Sequence, residues 1–367
     1  MHQAYCWFFV CVAASTLEAQ VNLLTNGHFE AGEKSPVGWS LGKAGGDWVR
    51  EGGIDGGACV SVSGDGTADN AWLSDPVTFQ PNHLYRFSFV ARAEEAGGGT
   101  AVCGPSFANV DLGVPGKTWR LYEHVFATPL RKDLLTAPVR LGQWQMKGRV
   151  FFDAVRLAPV LAVHAPLGES ALGEGERREG RRYLFDAQLG GDGRNHSRPL
   201  LAFTAGFNSD RWCFSEGNFV TYRHDGGGQS MLNGSLEVSS GYYVSGRLSI
   251  DASKDGKEWE HVGQLTNSGT VKIDLPAALF PAEALWVRLR GVKPPCNLQV
   301  NGYRFEGDVE GEPVTLAGAT RYIETEIHRP RVRVQVRGLG DALPGGANQV
   351  DLRVQNATGA PLDAQAR

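Results

Sequence analysis

The sequence predicts an all-β protein built as tandem antiparallel β-sandwiches. Three observations carry this. Glycine is in excess, at 48 of 367 residues, and glycine supplies the positive φ angles of tight turns. Short stretches alternate apolar and polar residues with the period of a strand, between Gly- and Asp-rich turns, and none keeps a 3.6-residue apolar period. A chain of 367 residues also suits two or three modules better than one small domain.

The chain opens with an apolar run, Ala4 to Ala14, too short to span a bilayer comfortably. Residues 1–19 therefore read as a signal peptide cut after Ala19, with an uncleaved anchor as the rival, although the preceding residues lack Lys and Arg. No later stretch is long and apolar enough to cross a membrane. The mature chain is expected to be secreted or at the cell surface, with no membrane span after cleavage.

Residues 20–160 form the first expected module. Strands are predicted at 58–63, 84–91, 120–127 and 150–157, separated by turns at Gly52-Gly53, Gly64-Asp65-Gly66, Gly97-Gly98-Gly99 and Pro115-Gly116. Residues 161–181 contain a charged, Gly-rich run and are expected to be a linker, either a solvated connection or a strand edge. Residues 182–311 form a second β-sandwich, with strands at 200–204, 218–223, 235–238, 247–251 and 285–290, and a hairpin turning at Asp255-Gly256. From 312 to 367 two further alternating runs, 331–337 and 349–354, suggest the start of an immunoglobulin-like sandwich. Three strands are too few to complete one. The expectation is a partial, truncated module, with a catalytic domain conceivable beyond Arg367, or a tail that docks on a partner.

Composition excludes some functions. The formal net charge is only −4, with both signs interspersed, so no basic stripe marks a nucleic-acid binder. Outside the leader, four cysteines remain: Cys59 and Cys103 in the first module, Cys213 and Cys296 in the second. One disulfide per module and four buried thiols are both open readings. No GxSxG, HExxH or phosphate-binding loop occurs. His196 and Asp192 sit in a polar Gly-rich run that reads as a solvated turn rather than a metal or base site. Asn195, Asn233 and Asn356 open N-x-Ser/Thr triplets.

The first module resembles a known family. Residues 22–32 read NLLTNGHFEAG and precede Gly38-Trp39, matching the "NLLxNGxFExG…GW" opening of CenC-like carbohydrate-binding modules. The likeness continues in order through 58–62, YRFSFVARA (85–93), WRLYEHVF (119–126) and GRVFFDAVRL (148–157). This resemblance implies a galactose-binding-like jelly roll over residues 22–158, a polysaccharide or oligosaccharide ligand, and a role as accessory module of a glycoside hydrolase. It also implies a structural Ca²⁺ held by Glu30 and Asp153, with further oxygens from the loop around Asp55; such an ion takes hard carboxylate and carbonyl ligands.

Sugar binding needs flat apolar faces flanked by polar groups. Trp39 and Trp119 lie within framework motifs and read as core. Trp72 and Trp144 stand among polar residues and are the expected platforms. Phe107 and Asn109 fall on an expected cleft strand, and Asn70, Gln143, Gln145 and Arg140 are the hydrogen-bonding candidates. Buried end-plugs are the competing reading of both tryptophans. In the second module, SIDASKDGKEWEHVG (249–263) weakly resembles a discoidin-like hairpin, with Trp259 packed across its sheet. Arg211-Trp212, Tyr222 and Tyr242-Tyr243 read as core more readily than as a second binding surface. A structural surface protein that binds no sugar remains the alternative function.

Overall fold

A computed structural model describes residues 22–190, 193–325, 332–337 and 351–356. The signal-peptide reading of residues 1–19, and Asp192, lie outside them. The described chain is all-β: its helical elements are two single 3-10 turns, Lys132–Leu134 and Ala277–Leu279.

Two sandwiches share one sheet. The first packs the sheet Gly46–Val49, Cys59–Asp65, Lys147–Leu167, Leu84–Gly97, Arg120–Ala127 against Trp39–Leu41, Asp69–Ser74, Arg140–Trp144, Thr100–Gly104, Ala108–Gly113, each in spatial order. The second sheet does not end there. Ala108–Gly113 pairs in parallel with Gly206–Asn208, through Phe207 opposite Ala108 and Asn208 opposite Asn109. The sheet then runs on through Arg211–Ser215, Leu285–Val300, Phe219–His224 and Leu200–Phe203. A six-stranded sheet centred on Gly302–Asp308 and Arg182–Asp186 closes the second sandwich.

Alternation of inward and outward residues builds each core. Phe29, Phe87, Phe89, Phe126 and Phe152 fill the first. Trp212, Tyr183, Tyr222, Tyr303 and Phe185 fill the second, where the Tyr222 and Tyr303 rings stack at 4.2 Å. The expected strands are present, and several are longer. The 150–157 strand is the 21-residue Lys147–Leu167, and the 84–91 strand extends to Gly97. The hairpin turn at Asp255-Gly256 is present too, with Asp255 Oδ1 accepting the amides of Lys257 and Glu258 at 2.8 and 2.9 Å.

Three expectations are corrected. Residues 161–181 are not a solvated linker: they finish Lys147–Leu167 and form Ser170–Leu172 and Glu176–Gly180. Their charges are divided: Arg177 and Glu179 pair at the exposed surface, whereas two others, Glu176 and Arg178, are buried. Glu176 is buried, and Arg198 bridges it to Asp225 at 2.6–2.7 Å while the Tyr183 hydroxyl donates to it at 2.6 Å. Residues 312–324 do not open a third module. Val314–Ala317 pairs with Glu176–Gly180 in the second sandwich, and Thr320–Glu324 returns to the first, pairing with residues 160–164. Val332–Arg337 and Asp351–Asn356 pair with each other in a separate two-stranded sheet. Finally, His196 is not on a solvated turn; it is buried against the Tyr322 ring, beside Asn195. The Asn195 amide exchanges two hydrogen bonds with the Ala127 backbone, at 2.8 and 2.9 Å, so this triplet asparagine is part of the fold. All four described cysteines are free thiols.

Candidate functional site

The outward face of the shared sheet carries a groove of about 670 Å³, within the size range of small-ligand pockets. Strand parity decides what lines it. Arg140–Trp144 pairs with Asp69–Ser74 so that Trp144 opposes Asp69, Gly142 opposes Ala71 and Arg140 opposes Leu73. These six residues face out. Asn70, Trp72, Leu141 and Gln143 face the core. On Ala108–Gly113, Asn109 and Asp111 face the groove while Ala108 and Val110 are buried.

The predicted site residues therefore separate. Trp144 is 52% exposed, the one tryptophan among the described residues on the exposed side, and lines the groove. Trp72 is corrected to a core residue: it is 4% exposed, and its Nε1 donates to the Ser61 carbonyl at 2.9 Å. Phe107 is also core, edge-on to Phe79 at 5.4 Å. Asn70 and Gln143 border the groove but are buried and spent on the fold. Gln143 Nε2 donates to Asn70 Oδ1 at 3.0 Å and its oxygen accepts the Met146 amide at 2.8 Å. The Asn70 amide donates to carbonyls of the 44–45 turn and to Ser63. Gln145 sits outside the groove, exposed at a turn with φ +49°.

Arg140 remains. Its Nη2 donates to Asn109 Oδ1 at 2.6 Å and its Nε to the Gly104 carbonyl at 3.3 Å. Both partners are neutral, and burial pulls the guanidinium below its ordinary value. The sequence reading missed Lys43, Asp111 and Asn208 as site residues, and placed Arg211 elsewhere. Lys43 Nζ pairs with Asp69 at 2.8 Å, which holds that carboxyl below its usual range. Alternation on 108–113 would have marked Asp111; nothing local marks Asn208, which arrives through the parallel pairing.

Glu30 and Asp153 meet around the 52–58 loop. Glu30 Oε1 accepts the Ala58 amide at 2.8 Å; Asp153 accepts Ile54 at 2.9 Å and Ala154 at 2.6 Å. The loop passes so close that a Cβ on Gly57 would lie 2.1 Å from Glu30 Oε1, and one on Gly53 2.6 Å from Asp153 Oδ2. Only glycine permits that approach. Asp153 is buried, with the His28 ring Nδ1 4.0 Å from its Oδ1. Burial, with a smaller contribution from Glu30, raises its pKa above the ordinary value. Two carboxylates beside a glycine loop with little cationic compensation suit the donor chemistry of a hard cation. Asp55 is exposed and does not join them: among the described residues no three acidic, His or Cys side chains form a metal-holding group.

One arrangement superficially suggests catalysis. Ser249, His261 and Asp251 lie within 2.9–3.2 Å of one another, but Ser249 and Asp251 both approach the same His261 nitrogen, Nδ1. A nucleophilic triad needs the base's two nitrogens divided between nucleophile and carboxylate. Asp251 is instead held by Arg288 and Arg290. Among the described residues no helix is long and apolar enough to cross a membrane.

No family model matches the chain, and no curated protein matches it. Solved structures show distant likenesses. The tandem CBM22-1–CBM22-2 domain of Paenibacillus barcinonensis Xyn10C is similar over 80% of this chain and 100% of its own, at 13% identity and TM-score 0.33. The CBM22-1 xylan-binding domain of the same protein is similar over 39% of this chain and 97% of its own, at 14% identity and TM-score 0.30. The enzymatically active domain of bacteriophage CBA120 tailspike protein 4 is similar over 38% of this chain and 21% of its own, at 13% identity and TM-score 0.29. At such scores these likenesses carry no argument about the groove, and the all-β sandwich fold stands on its own strand pairing.

Proposed function

We propose that this chain is an exported, non-catalytic carbohydrate-binding protein, or the targeting region of a longer glycan-degrading enzyme, and that its groove holds a polysaccharide or oligosaccharide. The observation that carries this reading is Trp144, an exposed indole in a groove that also presents charged and amide side chains. An indole face complements pyranose C–H groups, while Asp69, Asp111 and Arg140 offer acceptors and donors to hydroxyls. The resemblance of residues 22–158 to CenC-like modules points the same way.

Affinity electrophoresis of the full chain against xylan, β-glucan, mannan and pectin tests it. Retardation by at least one glycan is expected, with Trp144→Ala weakening that binding about 30-fold, as loss of an anchor worth about 2 kcal/mol would. A chain that no glycan retards returns the reading to a structural surface protein. Glu30, Asp153 and carbonyls of the 52–58 loop would hold a Ca²⁺ ion that ties the first module's opening segment to its closing strand. Excess EDTA is then expected to lower the melting temperature; an unchanged melt removes the ion from the account.

A further inference from the structure

We propose that the groove is completed by the second sandwich, so that a bound glycan crosses the seam and is held from both modules. This rests on reading the groove as a glycan site. Trp144, Arg140, Asp69 and Asp111 come from the first sandwich, whereas Asn208 and Arg211 come from the second. They share a face because the sheet continues unbroken through the parallel pairing of 108–109 with 207–208. Beyond it, Trp212 and Phe214 point into the second core, which leaves Arg211 and Cys213 on the groove side.

A side-chain chain crosses the same line. Arg140 donates to Asn109 Oδ1, and Asn109 Nδ2 donates to Asn208 Oδ1 at 2.9 Å, Asp111 Oδ1 at 3.0 Å and Ser209 Oγ at 3.3 Å. The Asn109 amide is thereby consumed in joining the modules. What remains for a ligand is the Trp144 face at one end and the Arg211 guanidinium at the other, with Arg140 and Asp111 between. The Arg211 Nε is buried without a partner, and its Nη1 pairs with the neighbouring Asp210. Charges balance along the groove: Lys43 meets Asp69, Arg211 meets Asp210, and Arg140 attracts Asp111. Such a surface suits a hydroxyl-rich chain better than a polyanion.

Length follows from the strand count. Four interstrand steps of about 4.8 Å separate the Trp144 strand from the Arg211 strand, a span of roughly 19 Å. That is several pyranose rings, so a disaccharide on Trp144 cannot reach Arg211, and a hexasaccharide can.

Calorimetric titration of the full chain with xylohexaose, cellohexaose and their disaccharides tests this. Arg211→Ala is expected to weaken the better-bound hexaose about tenfold, in keeping with a charged hydrogen bond, and to leave disaccharide affinity unchanged. Trp144→Ala should weaken both lengths. Arg211→Gln serves as the second variant, and unchanged melting temperatures establish that folding is intact. If both Arg211 variants bind the hexaose like wild type while Trp144→Ala does not, the second sandwich is no part of the site, and the glycan reading survives. If neither hexaose binds the wild-type chain, the seam-crossing site falls; the glycan reading falls with it only if none of the four polysaccharides retards the chain either.

Discussion

Trp72 and Trp144 stand on paired strands and face opposite ways. Trp72 spends its Nε1 on Ser61 and its ring on the first core, whereas Trp144 opposes Asp69 on the outer face. Their substitutions should separate accordingly. Trp72→Ala removes a large buried side chain and is expected to cost about 3–5 kcal/mol of stability, with glycan affinity of the folded protein retained. Denaturant melts run beside the electrophoresis check this; a melt unchanged from wild type would place Trp72 outside the core. The difference between the two was half legible. In 139–144, Val139 and Leu141 set the inward parity, which puts Gln143 in and Trp144 out. In 69–74 polarity does not follow the faces: the outward Ala71 and Leu73 are apolar, whereas the inward Asn70 and Ser74 are polar. Only the register against 140–144 resolves it.

At the scale of the element, the long strand Lys147–Leu167 positions Asp153. Its pairing with Leu84–Gly97 slips between Asp153 and Arg156, and Ala154 takes φ +51°. This is a bulge that re-aims one side chain. The buried carboxyl has a pKa raised above its ordinary value. A metal-free folded chain therefore holds a proton where the unfolded chain has lost it. Its stability falls as pH rises from about 3.9, the unfolded value, through the raised one. Calcium needs the ionised carboxyl, so its stabilisation is expected to fade as pH drops through that window. Melting temperatures with Ca²⁺ and with EDTA should converge towards pH 4 and diverge at neutral pH, and Asp153→Asn should abolish the divergence. A calcium-induced shift that persists in Asp153→Asn would place the ion elsewhere. The start of this strand was legible because VFFDAVRL packs against one core. Its continuation and 170–180 were not, because composition cannot distinguish a solvated charge from one buried in a pair, as Glu176 and Arg198 are.

At the scale of the whole molecule, the modules are joined by more than the shared sheet. Thr320–Glu324 returns to the first sandwich, where Glu324 pairs with Arg156 and Arg86, and Asn195 clamps the Ala127 backbone. None of this was readable from local pattern, since each tie joins residues far apart in sequence. His196 lies buried beside that clamp and His224 inside the second core, where its Nε2 meets the Tyr303 hydroxyl at 2.9 Å. Burial holds both imidazoles down to about 3, from an ordinary value of 6.5. The unfolded chain then binds protons below pH 6.5 that the folded chain refuses, so this stability is complete above 6.5 and drains away as pH falls. At pH 5 each group is expected to cost about 2 kcal/mol. Carboxylates held below their ordinary range, such as Glu324, add to the loss only nearer pH 4. Urea melts at pH 7.5 and pH 5 should therefore show a clear drop for wild type and a smaller one for His224→Gln. An equal drop in both would mean that His224 accepts its proton without unfolding the core.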